Sequence, residues 1–127
     1  MDYKQVLKNI YKPEIGSIWK APNKIWTTGF ARNKTPEGYH PSIVEKLRLD
    51  DVSIQLVPGT SKAYQQGSCV FKVKLGKTDR MTFFLLKLSM PYIIEDLLKL
   101  ERGWNGINTL SSSQLKDFEW QIKICKG

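Results

Sequence analysis

The sequence predicts a mainly β fold: a small antiparallel barrel or sandwich, with a short helix before it and a C-terminal α-helix after it. Three observations carry that expectation. Five short runs of strand character lie between residues 17 and 86, set apart by turn residues and with no long helical stretch between them. Beyond Pro91 the apolar spacing becomes helical. A chain of 127 residues suffices for one core, burying roughly two-thirds of the unfolded surface, and leaves too little for a second. One domain is therefore expected over residues 1–127, with an appended helix at 1–13, the barrel at 15–90 and a helical closure at 91–125.

Asp2 is placed to cap the first helix, in which Val6, Leu7 and Ile10 share a face, and Pro13 ends it. Ser17-Ile18-Trp19 reads as the first strand. Pro22, Gly29, Pro36 and Gly38 then punctuate a stretch of about twenty residues without apolar period, and a loop of that length inside a domain is usually functional. Lys20, Lys24, Arg32 and Lys34 are interleaved there with Trp26 and Phe30. Four further strand runs follow, at residues 42–44, 52–57, 69–73 and 81–86. The run 52–57 alternates apolar and polar residues, which fits a sheet with one buried face, and Pro58-Gly59 is read as its stop. Residues Ile93 to Leu100 form a short amphipathic stretch halted at Gly103 and Gly106. Ser111 and Gln114 fit a capping box, and Leu110 and Leu115 a hydrophobic staple, at the start of a last helix. Leu115, Phe118 and Ile122 share one face of it, so it should pack across the barrel as a lid. Trp19 and Trp120 are assigned to packing.

Composition narrows the functional classes. Lys and Arg number 20 against 12 Asp and Glu, a net charge of +8 that attracts polyanions. The excess sits at the two ends: residues 35–67 carry three basic and four acidic groups, while the flanking segments are both basic. No apolar run approaches the ~18 residues of a membrane span, and the start lacks a basic segment followed by an apolar one, so a cytoplasmic protein without membrane partners is expected. Cys69 and Cys125 read as two reduced thiols, and with the single His40 they cannot complete a four-ligand zinc site. No cofactor or metal is expected. Glycine-rich phosphate loops, dinucleotide fingerprints and the Gly-x-Ser-x-Gly elbow are missing, and Asp50-Asp51 reads as a solvated turn.

One undemanding reaction fits such a chain: cleavage of RNA through its own 2′-hydroxyl. The nucleophile belongs to the substrate, so the protein need only move protons and surround the phosphorane with cations and donors.

The order Gly16-Ser17-Ile18-Trp19, basic loop, Gly38-Tyr39-His40-Pro41-Ser42-Ile43-Val44 and Val57-Pro58-Gly59-Thr60-Ser61-Lys62 resembles the PemK/MazF family of toxin endoribonucleases. That family has a Gly-x-Ile/Val-Trp/Tyr strand, a charged loop ending in Arg-Pro-x-Val-Val and a Val-Pro-x-Thr-Ser-like strand end. The similarity continues through Val70-Phe71-Lys72-Val73, Leu88-Ser89 and the turn from Gly106 to Ser111, covering residues 15–124. The resemblance implies an SH3-like barrel with a C-terminal helix, a homodimer, metal-independent cutting of single-stranded RNA, and silencing by a cognate antitoxin protein.

In the family the Arg of Arg-Pro and the Thr of the later motif act at the scissile phosphate. Thr60 matches the Thr, whereas His40 stands where the Arg would be. An ordinary imidazole, with a pKa near ~6.5, exchanges protons at cellular pH but is a weaker permanent cation. His40 is therefore the candidate proton carrier, Thr60 the group that holds or activates the 2′-oxygen or a phosphate oxygen, and Arg32 the cation that offsets transition-state charge. Lys24, Lys34, Ser61 and Lys62 are candidates for the RNA backbone, and Trp26 for a base or a second subunit. Two alternatives accompany this reading: a catalytically lapsed RNA-binding barrel, and an SH3-like domain that takes an acidic peptide along a strand edge.

Overall fold

A computed structural model of the chain describes residues 13–27, 37–62, 67, 69–77 and 80–127. The helix expected at 1–13 lies outside these residues but for Pro13, as do Phe30, Arg32 and Lys34. Among the described residues the protein is mainly β. Its strands are β1 (Ile18–Pro22), β2 (Tyr39–Leu47), β3 (Ser53–Thr60), β4 (Val70–Lys74), β5 (Met81–Leu85), β6 (Met90–Ile93) and β7 (Glu101–Arg102). All pairings are antiparallel, in the order β4-β5-β3-β2-β1-β7, with β6 added to β3; the path does not close on itself. A single helical turn, α1 (Ile94–Leu97), follows β6, and α2 (Ser112–Lys126) ends the fold.

Each of the five expected strand runs is a strand, but β2 and β3 are longer than their local patterns suggest. Pro58-Gly59 does not end β3. The strand changes partners there: Ser42 pairs with Pro58 on the β2 side, and Gly59 and Thr60 then pair with Phe84 and Phe83 of β5. The first part of the stretch read as helical, up to Ile93, is instead strand β6, because Ser53 to Leu56 offer it a ladder edge.

The one-buried-face expectation also changes. Consecutive residues divide between two cores: Ile18, Ile43, Val57 and Phe84 enter one, while Trp19, Val44, Leu56 and Leu85 enter the other. Side chains alternate across a strand, so this division means that the central strands are covered on both faces. The second of these cores is closed by Met90, Ile94 and Leu97 and the first by Leu110 and Phe118, whose ring lies 5.1 Å from that of Phe71.

Helix α2 begins as its sequence predicts. Ser111 Oγ accepts from Gln114 N–H at 3.2 Å and Ser111 N–H donates to Gln114 Oε1 at 2.9 Å, a complete capping box. Leu115, Phe118, Ile122 and Cys125 face the core. Trp120 does not: it is 64% exposed, which corrects its assignment to packing. Two residues past Phe118 is about 200° around a helix, the far side from the buried stripe.

The far end of α2 carries a second correction. Cys69 and Cys125, expected as separate thiols, form a disulfide across 56 residues of sequence. The pairing depends on the α2 stripe landing beside the start of β4, which neither local sequence encodes. Lys126 adds an ion pair, at 2.6 Å, to the buried carboxylate of Glu45.

Two of these details predict stability changes. A Cβ on Gly59 would lie 2.6 Å from Phe84 Cε1 and 3.1 Å from the Pro41 carbonyl oxygen, and Phe84 is fully buried. Gly59→Ala is expected to cost about 1–3 kcal/mol by overpacking, read as a lower urea midpoint at unchanged slope. In the β2–β3 turn, Asp50 accepts hydrogen bonds from Ser53 Oγ, Ser53 N–H and Val52 N–H. The Ser53 hydroxyl is the largest influence holding its carboxyl below the ordinary 3.8; desolvation opposes this, and the two N–H groups and Arg48 assist. A depressed folded-state pKa stabilises above the unfolded value, and that contribution is lost as pH falls through the folded value. Asp50→Asn should thus be less stable than the parent at neutral pH, with the gap in urea midpoint closing below about pH 3.8.

Candidate nucleic-acid interface

The first candidate, His40, stands in the opening turn of β2, half-buried, opposite Ala21 of β1. Just past β1 the chain turns through Asn23–Ile25, and Asn23 is held by its own N–H, which donates to the Gly38 carbonyl at 2.8 Å. Its side chain, 5% exposed, brings Oδ1 to 2.5 Å from His40 Nδ1. A carboxamide oxygen accepts, so this contact favours an imidazole that carries a proton on Nδ1, and it orients the ring. Sequence reasoning missed Asn23, since nothing local links a carboxamide at 23 with a ring at 40; the only signal is its place beside the motif loop.

The β2–β3 register brings the second candidate alongside. Ser42 is opposite Pro58, and residues two places further out on each strand, His40 and Thr60, project from the same face at the same end of the sheet. The Pro41 carbonyl lies against Gly59, which keeps the strands adjacent at that end. Thr60, however, is 1% exposed, and its hydroxyl accepts from Lys62 N–H at 3.3 Å. That placement corrects the role read from sequence: Thr60 shapes the turn that presents Ser61 and Lys62, both exposed, and does not itself reach solvent.

The remaining candidates divide. Lys24 is exposed in the turn that carries Asn23. Trp26, expected to meet RNA or a second subunit, is 8% exposed and belongs to the core with Trp19, Leu56 and Met90. Burial of so large an apolar surface outweighs leaving it in a groove. Arg32 and Lys34 lie outside the described residues. Among the described residues His40 meets Asn23, Lys24 lies in the same turn as Asn23, and Ser61 and Lys62 follow the end of β3.

Ser42 also faces this side, fully buried, and its hydroxyl has no hydrogen-bond partner among the described residues. Removing an unsatisfied buried hydroxyl relieves its desolvation penalty. Ser42→Ala is expected to raise stability by about 1 kcal/mol, seen as a higher urea midpoint.

Among the described residues no group of three His, Cys, Asp or Glu side chains is placed to hold a metal ion. No helix among them is long and apolar enough to cross a membrane. No protein-family model matches the chain, and no curated protein matches it.

Proposed function

We propose that this protein is an endoribonuclease of the PemK/MazF type, a toxin that stops growth by cutting single-stranded messenger RNA without a metal. The observation that carries the reading is the imidazole of His40, held through Nδ1 by a buried Asn23, with Lys24 exposed on the turn that carries Asn23. The motif order and the net charge of +8 support it. The long β3, with β6 and β5 sharing one edge and β2 on the other, supports reading the sheet as an SH3-like barrel.

In this reading His40 Nε2 takes the proton of the 2′-hydroxyl as O2′ attacks phosphorus. The P–O5′ bond breaks and the proton passes on to O5′, leaving a 2′,3′-cyclic phosphate and a 5′-hydroxyl end. Asn23 is a positioning residue: it orients the ring and favours a proton on Nδ1. Lys24, Lys34 and Lys62 track the phosphates, Ser61 donates to them, and Arg32 offsets charge on the phosphorane. The protein works in the cytoplasm as a homodimer and is silenced by a cognate antitoxin protein.

A second reading, RNA binding without cleavage, draws on the buried Thr60 hydroxyl, since a matching motif residue that cannot reach RNA weakens the case for chemistry. One assay separates the two. End-labelled single-stranded RNA is incubated with the protein in excess chelator. Fragments with 5′-hydroxyl ends and cyclic phosphates support the nuclease; salt-sensitive retention of intact RNA leaves only binding; neither cutting nor retention overturns both.

A further inference from the structure

Between Ser61 and Leu88 the chain has six basic residues and a single acid, Asp79. Lys62, Lys72, Lys74 and Lys77 are exposed, and none of the four stands within ion-pair distance of a carboxylate among the described residues. We propose that Lys72, Lys74 and Lys77 form a track for the phosphates of single-stranded RNA, continuing from Lys62 across the end of the sheet onto β4. The proposal rests on the RNA reading above and adds to it where the strand runs once it has left the His40 strand end.

The strand registers decide which way these side chains point. Thr60 of β3 is opposite Phe83 of β5, and Phe83 is opposite Lys72 of β4, so the three project from one face of the sheet. Lys74, two residues further on and opposite Met81, projects from the same face. Because β3 and β4 are both antiparallel to β5, they run in the same direction, and Lys74 lies toward the end at which the chain leaves β3 through Ser61 and Lys62. The antiparallel β2 opens at that end with Tyr39 and His40. Neighbouring strands stand about 4.8 Å apart and successive residues about 3.3 Å, so Lys72 is about 10 Å from Thr60 across the sheet and Lys74 about 7 Å beyond Lys72. Such spacings suit an extended row of phosphates rather than one small anion.

Along β4 the residues alternate: Phe71 and Val73 are buried in the core closed by Phe118, while Lys72 and Lys74 stand in solvent on the other face. Four like charges without carboxylate partners repel one another in the free protein, and a polyanion relieves that repulsion while releasing its own counterions. Lysines on an edge strand also guard it against pairing with another chain, and β4 is an edge of this sheet. That role asks for charge on β4 alone. It does not account for Lys62 and Lys77, which follow β3 and β4 rather than standing in them.

The surface fits RNA better than an anionic membrane. A protein that lies on a bilayer inserts apolar side chains as well as offering charge, and Met81 is the one large apolar side chain that β4 and β5 expose. Lysines meet phosphates as point charges and carry no sequence information, so the track lengthens the site without adding a base preference.

The test measures equilibrium anisotropy of a labelled single-stranded 2′-O-methyl oligoribonucleotide of about twelve nucleotides, within the range of single-strand site sizes, which lacks the nucleophile and cannot be cut. The Lys72→Gln/Lys74→Gln/Lys77→Gln variant is expected to bind about ten- to a hundredfold more weakly, with a salt slope shallower by about 2.1, the value for three lost phosphate contacts at ~0.7 each. Lys72→Arg/Lys74→Arg/Lys77→Arg keeps the charge and should bind as the parent does. Lys46→Gln/Lys116→Gln/Lys123→Gln removes the same charge from the far end of β2 and from α2, and should stay within about twofold of the parent at an unchanged slope, because salt screens distant charge. All six lysines are exposed, and thermal melts check that each variant folds. Normal binding by the first variant, or an equal loss in the two Gln variants, with RNA still bound by the parent, overturns the track and leaves the RNA reading standing. A parent that neither binds nor cuts RNA overturns both, and if it then sediments with phosphatidylserine vesicles through the same three lysines, the surface belongs to a membrane instead.

Discussion

A His40→Ala variant is expected to cut single-stranded RNA about 10²- to 10⁴-fold more slowly than the parent, the range that a positioned proton carrier contributes. The loss should appear in kcat and leave KM and the affinity for uncuttable RNA nearly unchanged, because the ring is assigned to proton movement and the lysines to binding. His40 is half-buried at a strand end, so the substitution leaves both cores intact, and circular dichroism and melting should show a folded variant. Asn23→Ala supplies the companion measurement. It leaves the imidazole in place but removes the acceptor that favours a proton on Nδ1, so its kcat should fall by less than that of His40→Ala, again at constant KM. Undiminished cutting by His40→Ala would remove the imidazole from the mechanism.

The largest effect on stability is expected at the Cys69–Cys125 bond. It closes 56 residues of sequence, and the chain-entropy relation gives about 4 kcal/mol for a loop of that length. Cys125→Ser, or the parent under strong reductant, should therefore show a urea midpoint lower by roughly 2 M, at a slope of about 2 kcal/mol per M. The helix should remain attached even so, through buried Phe118 against Phe71 and Lys126 against Glu45. This matters for the proposed cytoplasmic role, since that compartment keeps thiols reduced. Equal midpoints for the oxidised and reduced protein would show that the bond adds nothing to the fold.

What could be read along the chain was whatever depends on neighbours in sequence. The capping box at Ser111 and Gln114, the apolar face of α2 and the Asp50-Asp51 turn each involve residues at most a few positions apart, and each stands as expected. Asn105 and Gly106, whose φ angles are +53° and +82°, carry an equally local signal, and the sequence reading places there both the stop at Gly106 and the start of the turn from Gly106 to Ser111. Strand β6 was missed: Met90–Ile93 has no alternating pattern, and only the free edge of β3 makes it a strand.

The candidate residues His40, Lys24, Ser61 and Lys62 were chosen from motif order, which is local; the register of β2 and β3 is fixed only by their pairing, with Ser42 opposite Pro58. Composition and periodicity were enough to establish a basic, mainly β domain ending in a capped helix, because charge and local propensity act without knowledge of the distant chain. Tertiary structure alone decided that Asn23 orients His40, that Thr60 and Trp26 turn inward, that Trp120 turns outward and that Cys69 meets Cys125. Each of these depends on what a second segment, tens of residues away, covers or leaves open, and burial is a property of that packing rather than of any residue type.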